Sequence, residues 1–273
     1  MSALLVAGAV LIEDVGDARA LIGGAGAYAA IAGAPLATTQ LWAQAGSGFP
    51  PQARTIFENH RIDLAGVSWD GTSASAAVSL PEIEPTSAED LGAAAVVRLG
   101  PAEAERAFAV IARLGQRPTV VVAPHRACDR GHLQACAQAA DILVLPLAVA
   151  AALAGGVDAL AAGMWVRDLG AKAVVLTAGI LGGLIIYGDK AVTYASMPMP
   201  KGSSRGTGAA FSGALAGWCA GEGADFRAIK RGCAMASAVA GICDQGVGPK
   251  KLLAAGRKEY IERFNRLRRT NKF

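Results

Sequence analysis

Lys201-Gly-Ser-Ser-Arg-Gly-Thr-Gly-Ala-Ala-Phe-Ser-Gly-Ala-Leu215 is the stretch whose reading decides the fold. Gly206, Thr207 and Gly208 stand just before a run (Ala209, Ala210, Phe211, Ala214, Leu215, Trp218) with helical apolar spacing. Glycines entering a helix bring bare backbone N–H groups up to an anion, and the unpaired first-turn N–H groups and helix dipole favour negative charge there. The pattern is that of a site for a transferring phosphate. Glycine-rich helix starts also serve packing, so the weight of this reading rests on what stands elsewhere in the chain.

Working outward, Leu4–Leu11, Val120–Ala123, Ile142–Leu145 and Ala173–Leu176 are short continuous apolar runs, as expected of strands buried on both faces of a parallel sheet. Helical patterns lie between them at Ala102–Leu114, Leu133–Ala140 and Ala148–Leu169, which predicts the βαβ alternation of a doubly wound sheet. Leu184–Tyr187 and Ala191–Tyr194 flank Gly188-Asp189-Lys190, a predicted hairpin turn. Ala74–Leu80 is made of small and polar residues suited to a half-exposed sheet, and Pro81–Asp90 is a predicted loop or hinge between an inserted lid and the main sheet. No internal repeat is present.

The series of landmarks resembles the ribokinase-like (PfkB) carbohydrate kinases over nearly the whole chain. Gly206-Thr-Gly-Ala-Ala-Phe211 is similar to the family's Gly-Ala-Gly-Asp-Ala-Phe signature, and Ile22-Gly-Gly-Ala-Gly-Ala-Tyr-Ala-Ala-Ile-Ala32 to its Gly-Gly-x-x-x-Asn-x-Ala motif. Ala45-Gly-Ser-Gly-Phe-Pro50 with Arg61-Ile-Asp-Leu-Ala-Gly-Val67 resembles its Val-Gly-x-Asp-x-Phe and Gly-Ile-Asp-x-x-Gly-Val passage, and Val174–Leu184 the strand and loop that grip the nucleotide. The resemblance implies one ribokinase-like α/β domain over residues 1–273: a central, mostly parallel sheet flanked by helices, with a small β lid formed by about 12–22 and 63–82. It implies ATP-dependent phosphorylation of a hydroxymethyl group on a small sugar- or nucleoside-like molecule, with ATP/ADP and Mg²⁺ as cofactors. By the same resemblance Glu13 or Asp14, Gly23, Gly24 and Tyr28 contact the substrate. Thr177, Gly179 and Gly182 contact the nucleotide, and Gly206, Thr207, Gly208 and Ala209 form the anion hole. Lids of this kind often pair two subunits, so a homodimer through the lid is expected.

The departures from the family pattern are of one kind. The signature's aspartate, which accepts the proton of the substrate hydroxyl, is Ala209 here, and a methyl group cannot take a proton. The Asn-x-x-Glu that helps hold the water shell of magnesium falls on Pro146-Leu-Ala-Val149. The Asp-Pro-Asn-x-Arg-like passage is Ala123-Pro-His-Arg126, and the aspartate opening the signature is Ser203. Tyr28 stands where the family has asparagine. Phosphoryl transfer relies on cations to neutralise phosphate charge, so the chain is expected to be inactive or impaired, and no metal-ligating residue is assigned. Two explanations stand side by side: a substitution at 209 in an otherwise working enzyme, or a non-catalytic relative that keeps the fold to bind a ligand or partner. The Gly-Thr-Gly form is also similar to pyridoxal and hydroxymethylpyrimidine kinases, which tolerate a different arrangement of acids.

Composition agrees with a globular α/β protein. The chain has 273 residues, 53% of them apolar, with 34 glycines and no stretch near the ~18 apolar residues of a membrane span. Ala3–Ile12 is apolar but lacks a basic leader, so an untargeted cytoplasmic protein is expected. Cys128, Cys136, Cys219, Cys233 and Cys243 are odd in number and without CxxC spacing, which argues against a disulfide framework or zinc site. The net charge of +4 is a property of the tail: from Lys250 onward there are nine Lys/Arg and two Glu, and residues 1–249 carry net −3. Tyr260, Ile261, Phe264 and Leu267 recur at helical spacing opposite Arg263, Arg266, Arg268 and Arg269, so a docked last helix with a solvated charged face is expected ahead of nucleic-acid or membrane binding.

Among single residues, His125 with Arg126 follows a strand, where an ordinary loop role outweighs contact with an anion. His60 and His132 have no ligand partners at metal spacing, and Ser212 has no Gly-x-Ser-x-Gly setting. Lys201 and Arg205 flank the anion site; solubilising charge is the first reading and phosphate contact the second.

Overall fold

Alternate residues of each central strand feed opposite faces of one sheet, and this places the core. Leu4, Val6, Ala93, Ala95, Val121, Val144 and Val175 belong to one buried cluster, while Leu5, Ala7, Ala94, Val96, Val122, Leu143 and Val174 belong to another. Side chains alternate across a pleated strand, so a continuous apolar run fills both sides at once.

The computed structural model describes residues 2–15, 17–46, 49–71, 80–82, 84–85, 91–114, 117–125, 127–197 and 205–271. In chain order, β1 (Ala3–Gly8) leads through the hairpin of β2 (Leu11–Val15) and β3 (Ala18–Gly23) into α1 (Ala25–Gly33) and β4 (Thr38–Gly46). Next come α2 (Pro51–Asn59), β5 (Ile62–Asp63), β6 (Val67–Gly71) and β7 (Leu91–Val97). Strands and helices then alternate: α3 (Pro101–Arg113), β8 (Thr119–Ala123), α4 (Arg130–Ala139), β9 (Ile142–Pro146), α5 (Leu147–Leu153), α6 (Ala159–Asp168) and β10 (Ala173–Thr177). The hairpin of β11 (Gly183–Tyr187) and β12 (Lys190–Tyr194) precedes α7 (Thr207–Glu222), α8 (Phe226–Asp244), α9 (Lys250–Ala254) and α10 (Arg257–Asn271).

The sheet runs β12-β11-β10-β9-β8-β7-β1-β4-β5, with β6 also on β4. Its strands are parallel from β10 to β5, and β11 and β12 are antiparallel at one edge. One core cluster joins the sheet to residues of α1, α7, α8 and α10, and the other joins it to α3, α4, α5 and α6. The expected mostly parallel sheet between helices is therefore present.

Four of the differences from the sequence reading have a local physical cause. The run Leu4–Leu11 is two strands, because after Gly8 the Ala9 carbonyl accepts the Gly26 N–H of α1 at 2.8 Å and the chain turns. Ala148–Leu169 is two helices, since Gly155 and Gly156 take φ of 89° and 83°, outside the helical region, and the Asp158 carboxylate starts α6 by accepting the Ala161 N–H at 2.9 Å. α4 begins before Leu133 because Asp129 caps it through the His132 N–H at 2.8 Å. Lys190 belongs to β12, paired with Tyr187, so the hairpin turn is Gly188-Asp189 alone.

The two segments expected to form one lid do not share a sheet among the described residues. β2 and β3 make a separate antiparallel ribbon, whereas β6 pairs in parallel with β4 of the main sheet, farther along it than β5. The Ala74–Leu80 strand lies outside the described residues except for Leu80, whose N–H is held by Glu103 Oε2 at 2.8 Å. All five cysteines are free thiols. α10 docks through Tyr260, Phe264 and Leu267, all buried, with Phe264 tilted on Trp218 at 5.4 Å between ring centroids. No helix among the described residues is long and apolar enough to cross a membrane.

Candidate functional site

The first turn of α7 is the centre of the site. Gly206 caps it in the left-handed region at φ 79°, a conformation that glycine adopts at no steric cost. The first intrahelical bond runs from the Ala210 N–H to the Gly206 carbonyl at 2.8 Å. Thr207, Gly208 and Ala209 thus contribute the N–H groups that an α-helix leaves without intrahelical partners. Close packing holds the turn in place: a Cβ on Gly213 would stand 2.5 Å from Ala29 Cα of α1, a separation only glycine permits.

A cavity of about 410 Å³ opens onto this turn. Thr207, Gly208 and Phe211 line it from α7, Thr177, Gly179 and Gly182 from the β10–β11 connection, and Pro146 and Val149 from β9 and α5. The three residues expected at a nucleotide are therefore gathered with the glycine turn. Gly179 has φ 59° and Gly182 φ 85°, and the space beside Gly179 is open. Gly206 and Ala209 adjoin the cavity in sequence but do not line it, and Ala209 is buried at 1% exposure.

Arg98 also lines the cavity, and the sequence reading passed over it. It follows β7 with φ 52°, and its Nη2 comes within 3.2 Å of where a Cβ on Gly208 would stand. A guanidinium thus sits beside the positive end of α7, a combination that selects for anions. The available signal was position: a charged residue directly after a buried parallel strand lies at the sheet's carboxyl edge, where open α/β sheets bind ligands.

The residues expected at a hydroxylated substrate form a second, adjoining group. Gly23 and Gly24 are buried, and the Gly24 N–H donates to Glu13 Oε1 at 3.0 Å. Glu13 Oε2 in turn accepts from Arg205 Nη1 at 3.2 Å. Glu13 also fills the space over Gly23, where a Cβ would come within 2.8 Å of Oε1. Asp14, the other acid considered for this role, is not brought to the site: it is exposed, pairs with Arg19 at 3.6 Å and accepts the Ala20 N–H at 2.9 Å within the β2–β3 ribbon. Tyr28 is 2% exposed, and its ring packs over Gly206, where a Cβ would stand 2.5 Å from Cζ. The Tyr28 hydroxyl has no hydrogen-bond partner among the described residues. Burial, the Cys243 thiol and the Glu13 carboxylate push its pKa up against the opposing charge of Arg205, so it stays a neutral phenol.

Neither group presents a base or a metal cage. No Asp or Glu lines the cavity, and the described residues hold no group of three or more His, Cys, Asp or Glu able to bind a metal. The cavity suits a phosphate-bearing ligand: the Thr207 hydroxyl, buried and without a hydrogen-bond partner at normal distance among the described residues, adds a donor to the first-turn N–H groups. It does not suit Mg²⁺ held by protein carboxylates, because Pro146 and Val149 occupy the wall with apolar atoms.

The remaining candidates play local roles or lie outside the described residues. His125 Nδ1 accepts the Ala127 N–H at 3.2 Å, and His60 bridges the Ile56 and Leu253 carbonyls at 2.7 and 2.8 Å. His132 lies 3.7 Å from Cys136 Sγ and is kept neutral by burial, which lowers its pKa. Ser212 Oγ bonds the Gly208 carbonyl at 3.0 Å, a helix contact. Lys201, Ser203 and Arg126 lie outside the described residues.

No protein-family model matches the chain, and no curated protein matches it in sequence. Solved structures do. Aminoimidazole riboside kinase from Salmonella enterica, complexed with aminoimidazole riboside and an ATP analog, is 16% identical with a TM-score of 0.77, covering 96% of this chain and 99% of its own. Fructokinase from Vibrio cholerae O395, bound to fructose, ADP and calcium ion, is 16% identical with a TM-score of 0.76, covering 97% and 99%. Ribokinase from Cryptococcus neoformans in complex with ADP is 16% identical with a TM-score of 0.73, covering 96% and 100%. The chain has the ribokinase-like α/β fold.

Proposed function

We propose that this protein binds a nucleotide or another phosphate-bearing small molecule at the start of α7 and transfers phosphate slowly or not at all. One observation carries the reading: a first turn built for an anion has a buried methyl group, Ala209, where the fold's kinases keep their base. The N–H groups of Thr207, Gly208 and Ala209 hold the phosphate, the helix dipole and Arg98 neutralise part of its charge, and the Thr207 hydroxyl donates to one oxygen. ATP or ADP would supply that phosphate, with Thr177 and Gly182 flanking it and the exposed Ile180 and Leu181 offering an apolar rim for the base. No step is assigned to Mg²⁺, since no carboxylate lines the cavity.

The acceptor half supports the same conclusion. Glu13 is engaged with the Gly24 N–H and with Arg205, and Tyr28, a neutral phenol, packs over Gly206, so neither replaces the missing base. A second reading, an impaired kinase for a hydroxymethyl group on a small sugar- or nucleoside-like molecule, is favoured by the signature from Gly206 to Phe211, which departs at residue 209 and carries Thr207 in place of alanine. In either reading the chain is one domain in a reducing cytoplasm, and a homodimer through the segments at about 12–22 and 63–82, which share no sheet among the described residues, is to be checked by solution scattering.

Calorimetry with ADP and with inorganic phosphate, alongside a coupled assay on sugars and nucleosides, tests the proposal. Binding without turnover is the expected result for the unaltered chain. Turnover at ordinary kinase rates, on the order of 1–100 s⁻¹, would refute it, as would the absence of binding by both ligands. Recovery of turnover by Ala209→Asp would favour the impaired kinase over the non-catalytic protein.

A further inference from the structure

α8 and α10 together form a second charged cleft, of about 460 Å³, independent of the site at α7. Arg227, Lys230 and Arg231 line it from α8 and Arg268 from α10, with Phe226 and Phe264 between them and no carboxylate in the lining. Arg227, Lys230 and Arg231 fall at i, i+3 and i+4, one helix face, where like charges destabilise a helix by about 0.2–0.5 kcal/mol per pair. Folding alone does not explain such a cluster in a chain whose first 249 residues carry net −3.

Two of the cleft's cations, Arg231 and Arg268, are held in position by rings. The Arg231 guanidinium lies 5.2 Å from the Trp218 ring centre, that of Arg268 5.6 Å from Phe264, and Lys190 Nζ 5.0 Å from Phe226. Guanidinium groups stacked on rings keep their in-plane N–H donors for other acceptors. Arg231 is ion-paired with Glu222 at 3.7 Å, and the Asp225 carboxylate is taken by the Ala228 N–H at 2.7 Å. The exposed Arg269 follows Arg268 on α10, a helix of 15 residues.

We propose that this cleft binds the phosphate backbone of a single-stranded nucleic acid. Planar guanidinium forks match phosphate oxygens, and Phe226, whose ring also contacts Lys190 and Tyr187, lines the cleft as an aromatic surface for a base. A lipid surface fits less well, because the apolar face of α10 (Tyr260, Phe264, Leu267) is already buried in the protein and none is left to insert.

Fluorescence anisotropy with labelled oligouridine tests this across a salt series. The unaltered chain is expected to bind with a dissociation constant on the order of 1–100 µM at physiological salt. In an Arg227→Ala/Lys230→Ala/Arg268→Ala variant, the slope of log K against log salt should shrink by about 2, at about 0.7 per lost phosphate contact. Between about 50 and 200 mM salt that difference amounts to roughly 20-fold in affinity. Ultraviolet cross-linking of the unaltered chain should mark peptides containing Phe226 or Arg268, a readout that needs no variant to fold. No binding, an unchanged slope, cross-links confined to other peptides, or equal affinity for polyglutamate or for phosphatidylserine vesicles would each overturn the proposal.

Discussion

Replacing Gly206 by alanine tests the residue at which the two halves of the site meet. Gly206 holds φ at 79°, a left-handed conformation that costs an L residue about 1–2 kcal/mol. The added Cβ would also stand 2.5 Å from Tyr28 Cζ and closer still to Cδ1 and Cε1. Tyr28 is 2% exposed, so its ring cannot move without displacing the core around it. Overpacking of this kind adds about 1–3 kcal/mol, which brings the expected loss of stability to about 2–5 kcal/mol. Urea unfolding should show a lower midpoint at an unchanged slope. In a Tyr28→Ala background the ring is gone, and only the backbone part, about 1–2 kcal/mol, should remain. The double-mutant cycle then yields a coupling of about 1–3 kcal/mol. An equal cost in both backgrounds would refute the claim that Tyr28 fills the space over Gly206.

Three further outcomes follow from the same geometry. Arg98→Ala should weaken ADP binding about 10–100-fold, the equivalent of a charged hydrogen bond worth about 1.5–3 kcal/mol; calorimetry that shows no change would remove Arg98 from the anion site. Glu13→Ala leaves the buried Gly24 N–H without its acceptor and should cost about 1–3 kcal/mol in urea unfolding, whereas Glu13→Gln, which keeps an acceptor oxygen, should cost less. Burial pushes the Cys136, Cys219 and Cys243 thiols up from 9.0 to about 12. Below pH 9 this makes no difference to stability. As pH rises from 9 towards 12 the unfolded chain loses thiol protons that the folded chain retains, so stability should fall by up to about 1.4 kcal/mol per pH unit for each thiol, and unfolding midpoints that stay flat across that window would contradict the burial of these groups.

The sheet was legible because its signal is local. Val120–Ala123, Ile142–Leu145 and Ala173–Leu176 are apolar at every position, and only burial on both faces uses such a run. The break of Ala148–Leu169 was written in the chain as Gly155-Gly156 and the cap Asp158, but the apolar spacing on either side masked it. Within the site, the family resemblance pointed to Thr177, Gly179, Gly182, Thr207 and Gly208, and all five line one cavity. Arg98 was missed because the strand before it, β7, was not among the predicted strands, so its place at the sheet's carboxyl edge went unread.

Residue order by itself determined the buried strands β8, β9 and β10, the β11–β12 hairpin, the glycine turn before α7 and the methyl side chain at position 209, since each depends on residues adjacent in the chain, whereas β4 and β7 were not read from it. It did not choose between Glu13 and Asp14, because consecutive strand residues project to opposite faces and only the packing of the β2–β3 ribbon on α1 sends Glu13 to Gly24 and leaves Asp14 in solvent. Nor did it join Arg227, Lys230 and Arg231 to Arg268, which are separated by more than thirty residues in the chain and meet only where α10 lies on α8. Tertiary structure decides such matters because cavities and charge clusters are built from residues that chain proximity does not relate, and it was the docking of Tyr260, Phe264 and Leu267 into the core that turned a basic tail into one wall of a cleft.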